Sequence, residues 1–383
     1  MSFMMSVDIH NISIFSFFSG AGFLDLGFEK NGITINFANE IHKPFQGAYT
    51  FSRDKMNLSL PKYGCHLESI EEYITGSRKK FLSQLIKESK KDSVVGFIGG
   101  PPCPDFSNGG KNRGHHGDNG RLTKEYVELI SIFKPDFFLL ENVKGLWKTE
   151  KHRAFYNDMK VFLNNNDYVL TDCLVNSLEF GVPQDRDRIM LFGINKKLLS
   201  HKNKQNIGND FPWRKHICFD KNKIPSKKNW PQQEIYMKDS LKSCPSYVEE
   251  FIELTVEHWF EKNNVSAHPN SLHYFQPRNG LLKFQTIMEG DDSRKSFKRL
   301  HRWRYSPTTA YGNNEVHLHP YKDRRLSAAE ALAIQSLPKE FELPASMSLT
   351  DMFKTIGNGV PYLLSLGIAK SITDYLEQIR IYH

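Results

Sequence analysis

Cysteine is scarce in this chain. The five residues stand at positions 65, 103, 173, 218 and 244, with no Cys-x-x-Cys spacing. An odd number so scattered argues against a disulfide framework and a zinc site, and fits a reducing cytoplasm. No apolar run approaches the ~18 residues that a membrane span needs. The opening Met1-Ser2-Phe3-Met4-Met5-Ser6-Val7-Asp8 lacks the basic flank and long apolar core of a secretory leader. Internal repeats and low-complexity tracts are missing too. An acidic excess is absent: the formal net charge is +8. Charged residues make up 25% and apolar ones 39%, the composition of an ordinary globular protein. With 383 residues the chain can bury a full core, arranged as two lobes.

The positive excess is concentrated. Residues 195–320 hold 21 Lys+Arg against 13 Asp+Glu, so this one segment carries it all. The Lys227-Lys228 pair and the run from Arg294 through Arg299, Arg302 and Arg304 interleave basic with aromatic residues, as phosphate-binding surfaces do. A solvated basic face is the plainer reading of any one such run. Its position between chemically distinctive segments favours nucleic acid.

Those segments begin with Gly99-Gly100-Pro101-Pro102-Cys103. The strand-like run Val94–Ile98 leads into it, and two glycines and two prolines fix a sharp turn that ends on the thiol. Residues 104–121 follow, polar and glycine-rich, with the composition of a loop that can close. A thiol held there suits a nucleophile, though a lone cysteine also serves as a small core residue. Upstream, Ile14 to Phe28 reads as strand, glycine turn and helix, with Gly20 and Gly22 allowing close approach of a ligand to backbone. Glu40 comes twenty positions after Gly20, where a carboxylate can hold both hydroxyls of a ribose. A third strand ends in Glu141-Asn142-Val143. Arg186 and Arg188 alternate before the strand Ile189–Ile194 and so face one side. Arg324 to Gln335 reads as an amphipathic helix, and Gly357-Asn358-Gly359-Val360-Pro361 precedes a last helix, Tyr362 to Ile379.

In this order and spacing, the chain resembles the DNA (cytosine-5) methyltransferase family of prokaryotic restriction–modification systems. The matching blocks are Phe18–Phe23, Pro102-Cys103, Glu141-Asn142-Val143, Gln184-x-Arg186-x-Arg188, Arg325–Pro338 and Gly357–Pro361, which together span roughly 1–194 and 321–383. Pro104 stands where the family usually has glutamine, and Ser69 where an aspartate is common beside the adenine. The resemblance implies an α/β fold: a Rossmann-like S-adenosylmethionine-dependent methyltransferase sheet with a smaller, irregular target-recognition lobe. It divides the chain into a catalytic lobe (1–194), a recognition lobe (195–345, including a 324–338 helix) and a returning C-terminal segment (346–383) that packs beside the first strand.

The same resemblance implies residue roles. Cys103 would add to cytosine, Glu141 and Arg188 would stabilise the ring, and Arg186 would support them. S-Adenosyl-L-methionine would be held by Phe18, Ser19, Gly20, Ala21, Gly22, Glu40, Ile41, Ser69, Ile70, Pro102, Leu122, Asn358 and Val360. No metal is required. The partner is double-stranded DNA, whose target base is flipped out; the enzyme acts as a cytoplasmic monomer, with a cognate restriction endonuclease not in stable complex. A tRNA cytosine-5 methyltransferase is the nearest rival, but its Cys-Phe-Thr signature is missing here. A nicotinamide-dependent oxidoreductase would share the glycine turn and Glu40, yet leave Cys103, Glu141 and the paired arginines unexplained. A non-catalytic DNA-binding relative would normally lack the cysteine. The cysteine after Pro101-Pro102 argues against an amino-group methyltransferase.

Overall fold

A computed structural model describes residues 11–102, 118–148, 150–277, 281–294, 296–309, 311 and 315–379. Among these, nine strands occur: β1 (Ile12–Phe17), β2 (Thr34–Asn39), β3 (Cys65–His66), β4 (Val94–Gly99), β5 (Phe137–Val143), β6 (Tyr168–Asn176), β7 (Gln184–Asp185), β8 (Asp187–Asn195) and β9 (Ser306–Pro307). Seven form one sheet in the order β3-β2-β1-β4-β5-β8-β6. The pairs among β1 to β5 are parallel; β8 runs antiparallel to both β5 and β6. The expected α/β methyltransferase sheet is therefore present.

Strands buried on both faces read as near-continuous apolar runs, because each face meets a helical layer. In β1 the alternation still shows. Ile12 and Ile14 join one core with the last helix, while Phe15 and Phe17 join another with Phe37, Phe97 and Tyr126. That last helix, Tyr362–Gln378, lies on the helix Phe23–Lys30 as well as over the first strand. Ser365 Oγ donates to the Leu24 carbonyl, and a Cβ at Gly27 would collide with Ser365, so glycine there permits the close packing.

Strand order reverses between β1 and β4, where Phe17 pairs with Gly99. The carboxyl ends of strands beside such a switch point make a natural crevice for ligands. Here the switch sets the glycine turn after β1 next to the Gly-Gly-Pro-Pro turn after β4.

From about residue 211 to 345 the texture changes. Short helices (Val256–Lys262, Leu281–Thr286, Ala328–Ile334) and a 3-10 segment (Ser246–Leu254) are joined by long loops. One small parallel pairing, β7 with β9, forms a separate two-stranded sheet that ties this region to the segment leading into β8. The helix expected over 324–338 is shorter, Ala328–Ile334, and is not amphipathic: all seven residues are buried. Ser327 caps it through a reciprocal box with Glu330, which fixes the start; Ser336 in the left-handed region and Pro338 end it. Before it, Arg324 lies in a bend and Arg325 in an isolated bridge to Leu318. The helix shares a core with Ala21, Phe23 and Leu26 of the sheet region, and with Met352 and Ile356 of the helix Leu349–Asn358.

Candidate active site

The turn after β1 is strained by design of its sequence. Phe18, Gly20 and Gly22 have φ of 55°, 56° and 79°. Glycine adopts this region freely; a phenylalanine there is held by its surroundings. Glu40, just past β2, completes the turn. Its Oε2 accepts from the Gly20 N–H at 2.9 Å and its Oε1 from the His42 N–H at 2.8 Å. Burial pushes the Glu40 carboxyl above the ordinary carboxylate value, partly offset by those two N–H groups. Ile41 beside it is 64% exposed, an apolar face left open on the rim of the cavity.

Sequence reasoning missed what lies beneath the turn. Arg53 is fully buried; its Nη1 donates to the Ala21 carbonyl (3.0 Å), and its Nη2 to the Gly22 carbonyl (2.7 Å) and to Glu29 (2.6 Å). A Cβ at Gly22 would strike this guanidinium. Asp25 is also buried. It accepts from Ser16 Oγ at 2.7 Å, and burial raises its pKa to about 6. Nothing local marks Arg53, which sits on a helix of mixed polarity and finds its partners more than twenty residues away.

A second group lines the same cleft. Glu141, on β5, lies with its Oε1 2.7 Å from Arg188 Nε on β8. The two strands are hydrogen-bonded neighbours, with Val143 opposite Arg188. The approach is off the N–H axis, so this is an ion pair rather than a linear hydrogen bond. Burial draws Arg188 below the usual guanidinium range, and Glu141 opposes that. A Cβ at Gly100 would come within 2.8 Å of Glu141 Oε2, so that glycine leaves room for the carboxylate. Arg186 is used differently. Its Nη2 donates to the Gly357 and Gly359 carbonyls (3.0 and 3.1 Å) and its Nη1 to Thr309 (3.4 Å). Gln184 joins Gln335 and Thr309. These two side chains tie strand, C-terminal turn and the irregular region together. Gly359 in turn lies so close to the Phe23 ring that a Cβ would overlap it.

Both groups open on one cavity of about 2040 Å³. That exceeds the usual ~300–1,000 Å³ of a single small-ligand pocket, and leaves room for a cofactor and a nucleotide together. Its wall includes Phe18, Ser19, Gly20, Ala21, Glu40, Ile41, Ser69, Ile70, Pro102, Leu122, Asn358 and Val360, with Glu141, Arg186 and Arg188. Of the residues expected at the site, Gly22 lies behind that wall. Cys103 and loop residues 104–117 lie outside the described residues; the helix Asp118–Phe133 takes in the end of the segment read as a loop. Among the described residues, no cluster of His, Cys, Asp and Glu could hold a metal, and no helix is long and apolar enough to cross a membrane.

The fold is that of solved methyltransferases. A structure described as a prophage-encoded DNA modification methyltransferase of E. coli superposes with a TM-score of 0.63 at 21% identity, covering 95% of this chain and 99% of that one. The S. pombe Dnmt2 methyltransferase gives 0.56 at 13% identity, covering 96% and 98%. In sequence, the Type II methyltransferase M.NmeDI of Neisseria meningitidis serogroup C is 55% identical over 365 residues, 95% of this chain and 84% of the relative. M.NgoPII of Neisseria gonorrhoeae is 28% identical over 96% of this chain and 97% of the relative. A family model for C-5 cytosine-specific DNA methylases matches residues 12–374. The chain belongs to that family and is a DNA (cytosine-5)-methyltransferase.

Proposed function

We propose that this enzyme methylates carbon 5 of a cytosine flipped out of a specific double-stranded DNA sequence, through a covalent Cys103 adduct, as the modification enzyme of a restriction–modification system. The observation that carries this reading is the shared cavity. The Glu40 turn, the Glu141–Arg188 pair and Pro102, the residue before Cys103, all line it. The Type II naming of the relatives supports the restriction–modification context.

The residues fit S-adenosyl-L-methionine. Glu40 would hold the ribose, Ile41 would offer an apolar face to the adenine, and the left-handed turn would let backbone approach the methionine end; all of them line the cavity except Gly22. When bound, this cofactor supplies an electrophilic methyl group. The target ring is inert until something adds to carbon 6, and the Cys103 thiolate does so, forming an S–C6 bond and pushing electrons toward nitrogen 3 and oxygen 2. Glu141 holds the proton at nitrogen 3, and Arg188 donates to oxygen 2. Carbon 5, made nucleophilic by that addition, would then take the methyl group that the bound cofactor supplies, the sulfonium S–CH3 bond breaking to leave a neutral thioether. Loss of its proton and of the thiolate restores the aromatic ring. Arg186 holds the walls in register. Inside a duplex the ring faces are stacked, so the base must leave the helix to be reached. Residues 195–345 form the target-recognition lobe.

DNA with 5-fluorocytosine at the target tests this reading. The fluorine cannot leave as a proton does, so wild-type enzyme should be trapped in a denaturation-resistant complex, and Cys103→Ser should not. A Cys103→Ser enzyme that still methylates, or a wild type that forms no adduct on DNA it methylates, overturns the mechanism.

A further inference from the structure

Arg325 is the exception among the buried arginines. It is 9% exposed, and its guanidinium lies 5.3, 5.8 and 5.9 Å from the ring centroids of Phe297, Phe275 and Phe284. Its Nε is sealed from solvent without a hydrogen-bond partner. No carboxylate stands within ion-pair distance of it among the described residues. The others buried as deeply are all engaged: Arg53 and Arg302 on carboxylates and carbonyls, Arg188 on Glu141, and Arg186, Arg299 and Arg304 on carbonyl oxygens. A buried cation without a counter-charge destabilises a fold, and aromatic faces recover only part of the loss. Arg325 also lines the cavity that holds Glu141 and Arg188, as does Lys298, likewise without a carboxylate partner among the described residues.

We propose that Arg325 binds a phosphodiester of the DNA that enters this cleft. The inference rests on the proposed function, and it names how the irregular region grips the substrate. A guanine edge could also accept from a guanidinium, but it brings lone pairs without charge. A phosphodiester supplies the missing negative charge and accepts two parallel N–H bonds. The rings of Phe275, Phe284 and Phe297 hold the guanidinium in place, so little freedom is lost on binding.

The test compares the full-length wild type with Arg325→Met, a substitution of similar length that removes the charge. Binding is read by fluorescence anisotropy across a salt series, with a duplex of arbitrary sequence and with a duplex that the wild type methylates. Arg325→Met should weaken both by about tenfold, and the slope of log K against log salt should shrink by about 0.9. Its melting temperature should stay level or rise, since an unpaired buried charge is gone. Arg325→Lys should restore the slope. Unchanged affinity and slope overturn the proposal, as does a lower melting temperature with an intact slope, which makes the residue structural. Loss confined to one base pair of the target overturns it in favour of base reading. Fluorocytosine trapping with the wild type judges the Cys103 mechanism separately, so failure of either idea is told apart from failure of the other.

Discussion

In the sheet, Phe15, Phe17, Phe37 and Phe97 pack ring against ring at centroid distances of 5.1 to 5.9 Å, and the strands beneath them satisfy one another's backbone groups in register. Between residues 211 and 345 few strands exist to do that work, and arginines do it instead. Arg299 is fully buried and donates to the carbonyls of Ile287, Lys322, His319 and Phe284. Arg304 reaches Pro231 and Gly290. Arg302 forks onto Glu289 at 2.8 and 3.0 Å and onto the Ser240 carbonyl at 2.6 Å. A loop-built region leaves carbonyls without ladder partners, and a buried guanidinium with five donors can satisfy several at once. Three arginines of the basic run 294–304, read in sequence as a DNA-binding surface, are thus corrected, whereas Lys298 of that run does line the cleft. Arg299, Arg302 and Arg304 are internal struts, and Arg294 is paired with Asp291 at the surface.

The contrast is broken most directly at Glu289, which is fully buried. Glu289→Gln leaves the Arg302 cation inside without its counter-charge, and should cost about 3–5 kcal/mol. Urea unfolding followed through Trp230 and Trp303, both in this region, measures it. The double variant Glu289→Leu with Arg302→Met should recover most of the loss, since an apolar pair of similar volume replaces the ion pair. A single variant within 1 kcal/mol of wild type, by order of magnitude, would mean the arginines do not hold the region.

The same contrast explains what the sequence made legible. Parallel strands announce themselves as apolar runs, and the turns after β1 and β4 carry glycine and proline at their corners. The sheet, and the places of Glu40, Glu141 and Arg188 beside its strand ends, are therefore legible in the sequence. Each of those residues also sits at or beside a strand end, so its place follows from the strand. Arg53, Arg299 and Arg325 had no such signal. Their partners, or lack of them, depend on folding of segments distant in sequence, and no period or spacing reports a carbonyl twenty residues away. The helix 328–334 misled for a related reason: Arg324 and Arg325 precede it rather than forming its polar face, and its other face is also covered.

Within the sheet, Glu40 tests whether the strand-end reading extends to chemistry. Glu40→Ala should weaken S-adenosylmethionine binding by about 1–3 kcal/mol, the range for a charged hydrogen-bond partner. Isothermal calorimetry would show it; unchanged affinity removes Glu40 from the cofactor site. Since burial holds its pKa above the ordinary value, its charge is lost on acidification sooner than that of an exposed glutamate. Cofactor affinity should therefore fall as the pH drops through that range, and Glu40→Gln should flatten the dependence.

The smallest effect separates charge that is free from charge that is spent. Lys227 donates to both oxygens of Asp292 at 2.8 and 2.7 Å, and Asp292 also lies 3.5 Å from Arg304. Lys228, its neighbour, is exposed and has no carboxylate partner among the described residues. Sequence treats the two alike; the structure does not. If the irregular region meets DNA with this surface, Lys228→Ala should weaken binding to every duplex equally and reduce the salt slope by about 0.9, the share of one phosphate contact. Lys227→Ala should change the slope less, because its charge is already offset by Asp292, and should cost about 0–1 kcal/mol of stability for the lost surface pair. Equal slopes for the two variants would mean that Asp292 lets go of Lys227 when DNA arrives. A Lys228 variant with wild-type slope would move the phosphate path off this edge and toward the wall of the cleft.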